Sequence, residues 1–283
     1  MEDIQRIETR LENVRSVKPI LGALRTISLG TWRSAQRQRL VVSRYTERLL
    51  TVLAHALPLI PAGHGAGSMP GGRTVVLVVG GERGLAGRFN RDVVERAEQY
   101  RRRRGDEVEW MALGKRAVRL LERRGFPLSW SDSLSTTGLP SERAALALTE
   151  RWLARYEAGE IDAVDLIYNA YVGAARYRPS VVRLIPPELP PVTAGGGRQF
   201  PIIETDPVGL YAQVIGQWAA VGLYERLLES AAAEHSTRYQ RMESATENVE
   251  ELIEELNAAV LAHRRQEITR EMQELVAGAG MLG

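Results

Sequence analysis

The chain has 283 residues, 44% of them apolar, enough for a substantial core and for one large domain or two smaller ones, which excludes a disordered chain. Its formal net charge is +2, and Lys18 and Lys115 are its only lysines, so the basic charge is almost entirely arginine, a composition bias that supports no claim of nucleic-acid binding. With no cysteine, disulfides, thiolate metal sites and a cysteine nucleophile are excluded, and His55, His64, His235 and His263 lie too far apart for a metal-ligand motif.

The opening "MEDIQRIETRLENV" is charged and amphipathic, without the apolar centre of a secretory signal, and no run approaches the roughly 20 apolar residues of a membrane span. A peripheral or cytosolic protein, with no direct membrane insertion, is the expectation. From Ile4 the apolar residues Ile7, Leu11, Val14, Val17, Leu21, Leu24 and Ile27 predict a long helix over residues 1–57, with a bend at Pro19. "LPLIPAGHGAGSMPGGR", residues 57–73, then reads as a linker.

Residues 73–190 alternate apolar runs with amphipathic ones: "TVVLVVG", "NRDVVERAEQYRRRR", "VEWMALG", "KRAVRLLERRG", "FPLSW", "SERAALALTERWLARYEAG" and "AVDLIYNAYV", with "SVVRLIPPE" as a possible further strand. This pattern predicts a Rossmann-like α/β domain with a mainly parallel sheet covered by helices. The turn after the first strand, "GGERGLAG", invites a phosphate-binding reading, but it contains neither GxxxxGK[ST] nor GxGxxG. Its glycines are expected to serve backbone geometry, and no cofactor is expected. Arg83 and Arg88 flank them as candidates for docking a partner.

After a second proline- and glycine-rich stretch, residues 206–283 return to helical periodicity. Met242, Ala245, Val249, Leu252, Leu256, Ala259 and His263 are spaced alternately three and four apart, the seam of a coiled coil. A helix of some 73 residues would be about 110 Å long at about 1.5 Å per residue and needs a partner. The N-terminal segment has the complementary charge: residues 1–50 carry ten basic and five acidic side chains, residues 225–275 six basic and twelve acidic. The two terminal helices are therefore expected to pair as a long antiparallel coiled coil, with apolar burial dominating and surface ion pairs contributing about 0–1 kcal/mol each. The carboxylates of "EELIEE" and the "RRRR" closing a helix read as solvated helix faces.

Specific motifs accompany this architecture. "AEHSTRYQRMESATENVEELIEELNAAVLAHRRQEITREMQELVAGAGML", residues 233–282, resembles the C-terminal signature of the gamma chain of F-type ATP synthases in "AEH", "MxxATxN", the basic group before "IT" and "ELVAGA". "IETRLENVRSVKPILGALRTISLGTWRSAQ" is similar to that family's N-terminal helix, and "ERGLAGRFN", "LIYNAYV" and "ETDP" fall where the family has comparable stretches. The resemblance implies a non-catalytic rotor subunit that transmits torque between a membrane ring of c subunits and a head of alpha and beta subunits, with the epsilon subunit beside its α/β domain. It implies a peripheral location on the cytoplasmic side of a bacterial membrane, and contact with a beta subunit through Arg264, Arg265, Gln266 and Thr269. In that group the family's glutamine position holds Arg265, and Gln266 stands one place later, about 100° around the helix. "PILGAL" likewise replaces a lysine-bearing stretch of the first helix. Two further readings stay open from the residues alone: a free-standing α/β nucleotide-binding enzyme with a coiled-coil arm, and a gamma-like paralogue that does not rotate.

Overall fold

The computed structural model describes residues 2–56, 73–105, 108–135, 138–187 and 206–280. Most of both expected linkers, and the first half of "ETDP", lie outside them. Among the described residues five helices and five strands follow in the order α1 (Glu2–Ala56), β1 (Thr74–Val79), α2 (Phe89–Arg104), β2 (Val108–Leu113), α3 (Lys115–Arg123), β3 (Leu128–Asp132), α4 (Glu142–Glu157), β4 (Ala163–Gly173), β5 (Arg176–Ile185) and α5 (Pro207–Gly280). The chain divides into two compact units, one of residues 1–27 with 239–283 and one of residues 28–238. Both terminal helices thus contribute to each unit.

The first unit pairs the start of α1 with the end of α5. Arg25 meets Glu243 at 3.2 Å, Lys18 meets Glu250 at 2.8 Å, Arg15 donates to Asn257 at 2.8 Å and Arg264 meets Glu8 at 2.8 Å. Positions on α5 rise as those on α1 fall, so the helices run antiparallel, and each ion pair joins a basic to an acidic residue of the opposite helix. The hydrogen-bonded helix continues through Pro19. The missing N–H costs one bond, but residues 15–20 are all exposed, so water can serve the freed carbonyl.

In the second unit the sheet has the order β3-β2-β1-β4-β5, parallel in its first three pairings and antiparallel between β4 and β5. β1 is central and buried along its whole length, which is why "TVVLVV" is an unbroken apolar run rather than an alternating one. Val75, Leu77 and Val79 face a core shared with Trp152 of α4, Val42 of α1 and Ala219, Leu223 and Leu227 of α5. Val76 and Val78 face α2 and α3, meeting Val93, Ala97 and Leu121. Helices therefore cover both faces of the sheet, and the terminal helices supply part of one cover. Their buried positions in this unit include Ala35, Val42 and Leu49, seven apart on α1, whereas Ile27, expected on the apolar stripe, is 48% exposed beside a buried Ser28.

Local signals explain several boundaries. Asp206 caps α5 by accepting from the N–H groups of Val208 and Gly209, ahead of Pro207 at the first helical position. Ser141 caps α4 by accepting from Ala144 at 3.2 Å. The β4–β5 hairpin turns through Ala175 at φ 51, in the left-handed region where a Cβ is unfavourable. Ala175→Gly is expected to stabilise the protein by about 0.5–1 kcal/mol, the strain relieved being partly offset by a freer unfolded chain. A raised thermal midpoint checks this; a lowered one would show that the side chain contributes more than its strain.

Candidate functional site

On α5, Met242 and Leu256 of the proposed seam are buried and Ala245, Val249 and Leu252 are half-buried. Ala259 is exposed, and Val260 is buried in its place. Thr246, Ile253 and Val260 recur at seven-residue intervals, and the inward face shifts toward this row because the larger side chains bury more apolar surface than the methyl groups of Ala245 and Ala259. Val260→Ala is accordingly expected to cost about 1–2 kcal/mol and Ala259→Ser less than about 0.5 kcal/mol. Amide exchange of the first unit distinguishes them: equal loss of protection in both would restore Ala259 to the seam.

Arg264, Arg265, Gln266 and Thr269 are all exposed on α5. Arg264 is held by Glu8, and the Thr269 hydroxyl donates back to the carbonyl of Arg265 at 2.8 Å, leaving Arg265 and Gln266 projecting from neighbouring positions. His263 is half-buried beside them. Further along, Ile268, Met272, Leu275 and Val276 are 58–73% exposed, a run of large apolar side chains on the last turns of α5.

In the second unit Arg83 and Arg88 are exposed around the turn after β1. Arg88 is drawn back onto α2 by Asp92 at 3.1 Å and Glu95 at 3.4 Å. Between the arginines Leu85 stands at φ 70 with its side chain 57% exposed.

The same turn packs against a cluster that includes the glutamate and histidine of "AEH". Glu234, His235 and Arg238 of α5 are all at least nine-tenths buried against it. Arg238 pairs with Glu234 within the helix, reaches the Nδ1 of His235 at 3.1 Å, and donates from its Nε to the carbonyl of Gly84 at 3.2 Å. A Cβ on Gly81 would collide with the Glu234 carboxylate unless that side chain shifted, and Gly87 stands at a φ of 60, where a side chain is unfavourable. Glu82 turns the other way, its carboxylate accepting from the backbone N–H groups of Lys115 at 3.1 Å and Leu134 at 3.0 Å and pairing with the Lys115 ammonium. Burial pushes the Glu82 carboxyl up, but those donors outweigh it and hold it below the usual range.

Burial raises the Glu234 carboxyl above the usual range, with Arg238 opposing. For His235, burial and then the charges of Arg238 and Arg83 lower the imidazole to about 3, so it is neutral and accepts from Arg238. A water-sized cavity of about 20 Å³ adjoins the cluster, lined by Gly80, Leu134, Ser230 and Glu234. In doubly wound sheets phosphate ligands sit beyond the carboxyl ends of the strands. Here that position beside Gly81 holds a carboxylate, which repels an anion. No local signal marks Glu234 and Arg238 in the sequence as anything but helix-surface polar residues at i and i+4; only the packing of the turn reveals their burial. Among the described residues no cluster of histidine, aspartate and glutamate has the makings of a metal site.

The family model for ATP synthase matches residues 3–282. ATP synthase gamma chains from Anaeromyxobacter dehalogenans and Pelotomaculum thermopropionicum are 32% and 29% identical over 290 and 292 residues, covering all of both chains in each case. The fold is also that of a chain in the mitochondrial ATP synthase of Euglena gracilis, in its third rotational state, with a TM-score of 0.65 at 15% identity, covering 99% of this chain and 95% of that one. A chain from the central stalk and c-ring of the Tetrahymena thermophila mitochondrial enzyme gives a TM-score of 0.59 at 18% identity, covering 80% of this chain and 99% of that one. Similarity along the whole length, carried by both terminal helices and by the sheet between them, establishes that the chain belongs to the ATP synthase gamma-chain family.

Proposed function

We propose that the chain is the central-stalk rotor of an F-type ATP synthase, carrying torque between a ring of c subunits in the membrane and a catalytic head of alpha and beta subunits. It is a non-catalytic subunit, the catalytic sites of the complex lying in the beta chains. The full-length match to gamma chains carries this reading. The antiparallel pairing of a basic with an acidic helix supports it physically. Two unlike helices give a shaft with different chemistry on each side, so equivalent sites around it make different contacts and take different conformations in turn.

Arg264, Arg265, Gln266 and Thr269 are the proposed beta-subunit contact, exposed on α5 and able to offer charge and hydrogen bonds. Arg83 and Arg88 form the proposed docking point for a partner chain at the glycine turn. Among the described residues no helix is long and apolar enough to cross a membrane, which suits a peripheral subunit on the cytoplasmic side of a bacterial membrane. The alternatives of a nucleotide-binding enzyme and a non-rotating paralogue lack a comparable observation in their favour.

Purification of the native complex tests the reading: alpha, beta and epsilon chains are expected with this one, and their absence would refute it. In a reconstituted complex, alanine at Arg264, Arg265 and Thr269 together is expected to reduce ATP hydrolysis coupled to ion transport. Unchanged coupling would remove these residues from the torque path.

A further inference from the structure

We infer that a set of directed polar contacts, Arg238 to the Gly84 carbonyl, Ser236 to the Ala175 N–H and Glu229 to the Tyr168 hydroxyl, locks the rotational angle of α5 against the sheet and bears torque there. The inference rests on the rotor reading and adds where in the second unit force passes between helix and sheet.

Three separate parts of the sheet grip the same ten-residue stretch of α5. The Tyr168 hydroxyl of β4 donates to Glu229 at 2.9 Å, both groups being buried. The N–H of Ala175, in the β4–β5 hairpin, donates to the Ser236 hydroxyl at 3.3 Å. Arg238 donates to the Gly84 carbonyl in the turn after β1. Ser236, seven positions on, lies within about 20° of Glu229 around a helix of 3.6 residues per turn, whereas Arg238 lies about 200° beyond Ser236, so the contacts grip two different sides of the helix.

Apolar packing between α5 and the sheet is extensive but non-directional, and packed helices can slide or turn by small amounts at low cost. Hydrogen bonds are directional, weakening steeply as their angle closes. A turn of α5 about its axis must therefore break one buried and two part-buried polar contacts, and the buried one leaves unsatisfied groups behind. Close packing of the Glu234 carboxylate over Gly81 adds a steric stop on the same segment. Arg39 of α1 lies 3.8 Å from Glu229, which brings the second terminal helix to the same point.

The intra-helix pair of Glu234 and Arg238 has a distinct part in this arrangement. It joins nothing to the sheet by itself, being i to i+4 on one helix. Its carboxylate orients the guanidinium, with His235 as a second acceptor, so that Nε is left to face Gly84. Arg238 is thus a force-bearing residue and Glu234 a positioning one.

The test is single-molecule measurement of torsional play in the assembled complex. The head is immobilised, nucleotide exchange is stopped, and a probe is attached to the second unit through Arg102→Cys, the native chain having no cysteine. Wild type is compared with Tyr168→Phe, Ser236→Ala and the charge-neutral double variant Glu234→Gln with Arg238→Met. All three are expected to lose torsional stiffness, seen as a broader distribution of probe angles, with the double variant broadest and ATP hydrolysis by the unloaded head retained. A purely structural role would lower thermal midpoints without broadening the angles, and unchanged widths in the two single variants would overturn the inference even if the double variant failed to assemble. A wild-type probe that never turns during ATP hydrolysis would instead refute the rotor reading.

Discussion

Arg238→Met is expected to destabilise the protein by about 3–5 kcal/mol, because it strands the Glu234 carboxylate in an apolar interior without its partner. Both residues are buried, Glu234 at 7% exposure and Arg238 at 5%, so bulk water has little access to take over the lost interaction. The double variant, Glu234→Gln with Arg238→Met, removes both charges and is expected to be considerably more stable than the single one. Chemical denaturation of the full-length chain at neutral pH measures both. Equal losses in the two would show that the damage comes from Arg238's own packing and its bond to Gly84 rather than from the orphaned charge. The result also validates the double variant as the folded, unanchored form.

His235→Asn is expected to make the protein more resistant to acid. In the folded state the imidazole is lowered from 6.5 to about 3, by burial first and by the charges of Arg238 and Arg83 second. Between those values the unfolded chain holds a proton that the folded chain refuses, so stability falls as the pH drops below 6.5 and goes on falling until about 3. At pH 5 the loss amounts to about 2 kcal/mol relative to neutral pH, from about 1.4 kcal/mol per pH unit over one and a half units. Asparagine does not titrate, yet its side-chain oxygen can accept from Arg238 as Nδ1 does. Glu234, whose raised carboxyl has the opposite dependence, and Glu82 and Arg83 from the turn after β1 are present in both proteins, so their contributions largely cancel in the comparison. Denaturation at pH 7 and pH 5 is therefore expected to show a smaller drop for the variant. Equal drops would mean that His235 charges in the folded state at its ordinary pH.

Much of this architecture was readable along the chain because its signals are local and repetitive. "TVVLVV" and "AVDLIYNAYV" are apolar enough to be buried strands wherever they lie, and of the helices between them α4 carries its own cap in Ser141. The opposite charge balance of the two termini anticipated pairs such as Lys18 with Glu250. The glycine spacing of "GGERGLAG" argues against a phosphate loop, whereas the approach of the Glu234 carboxylate to Gly81 is visible only in the structure. Positions that depend on a facing helix were less legible. The choice between Ala259 and Val260, or between Ile27 and Ser28, turns on a rotation of one residue, which a period of three or four cannot resolve alone.

Sequence by itself thus determined the alternation of strands and helices, the two long terminal helices and their complementary charge, since periodicity and charge balance are summed over many residues and survive local ambiguity. Only the tertiary structure decided which residues of α5 are clasped by the sheet. Glu229, Ser236 and Arg238 meet Tyr168, Ala175 and Gly84, partners 61 to 154 positions away in the chain. Burial of a charge is a property of what surrounds it, so nothing in "AAAEHSTR" distinguishes a solvated ion pair from one enclosed against a glycine turn.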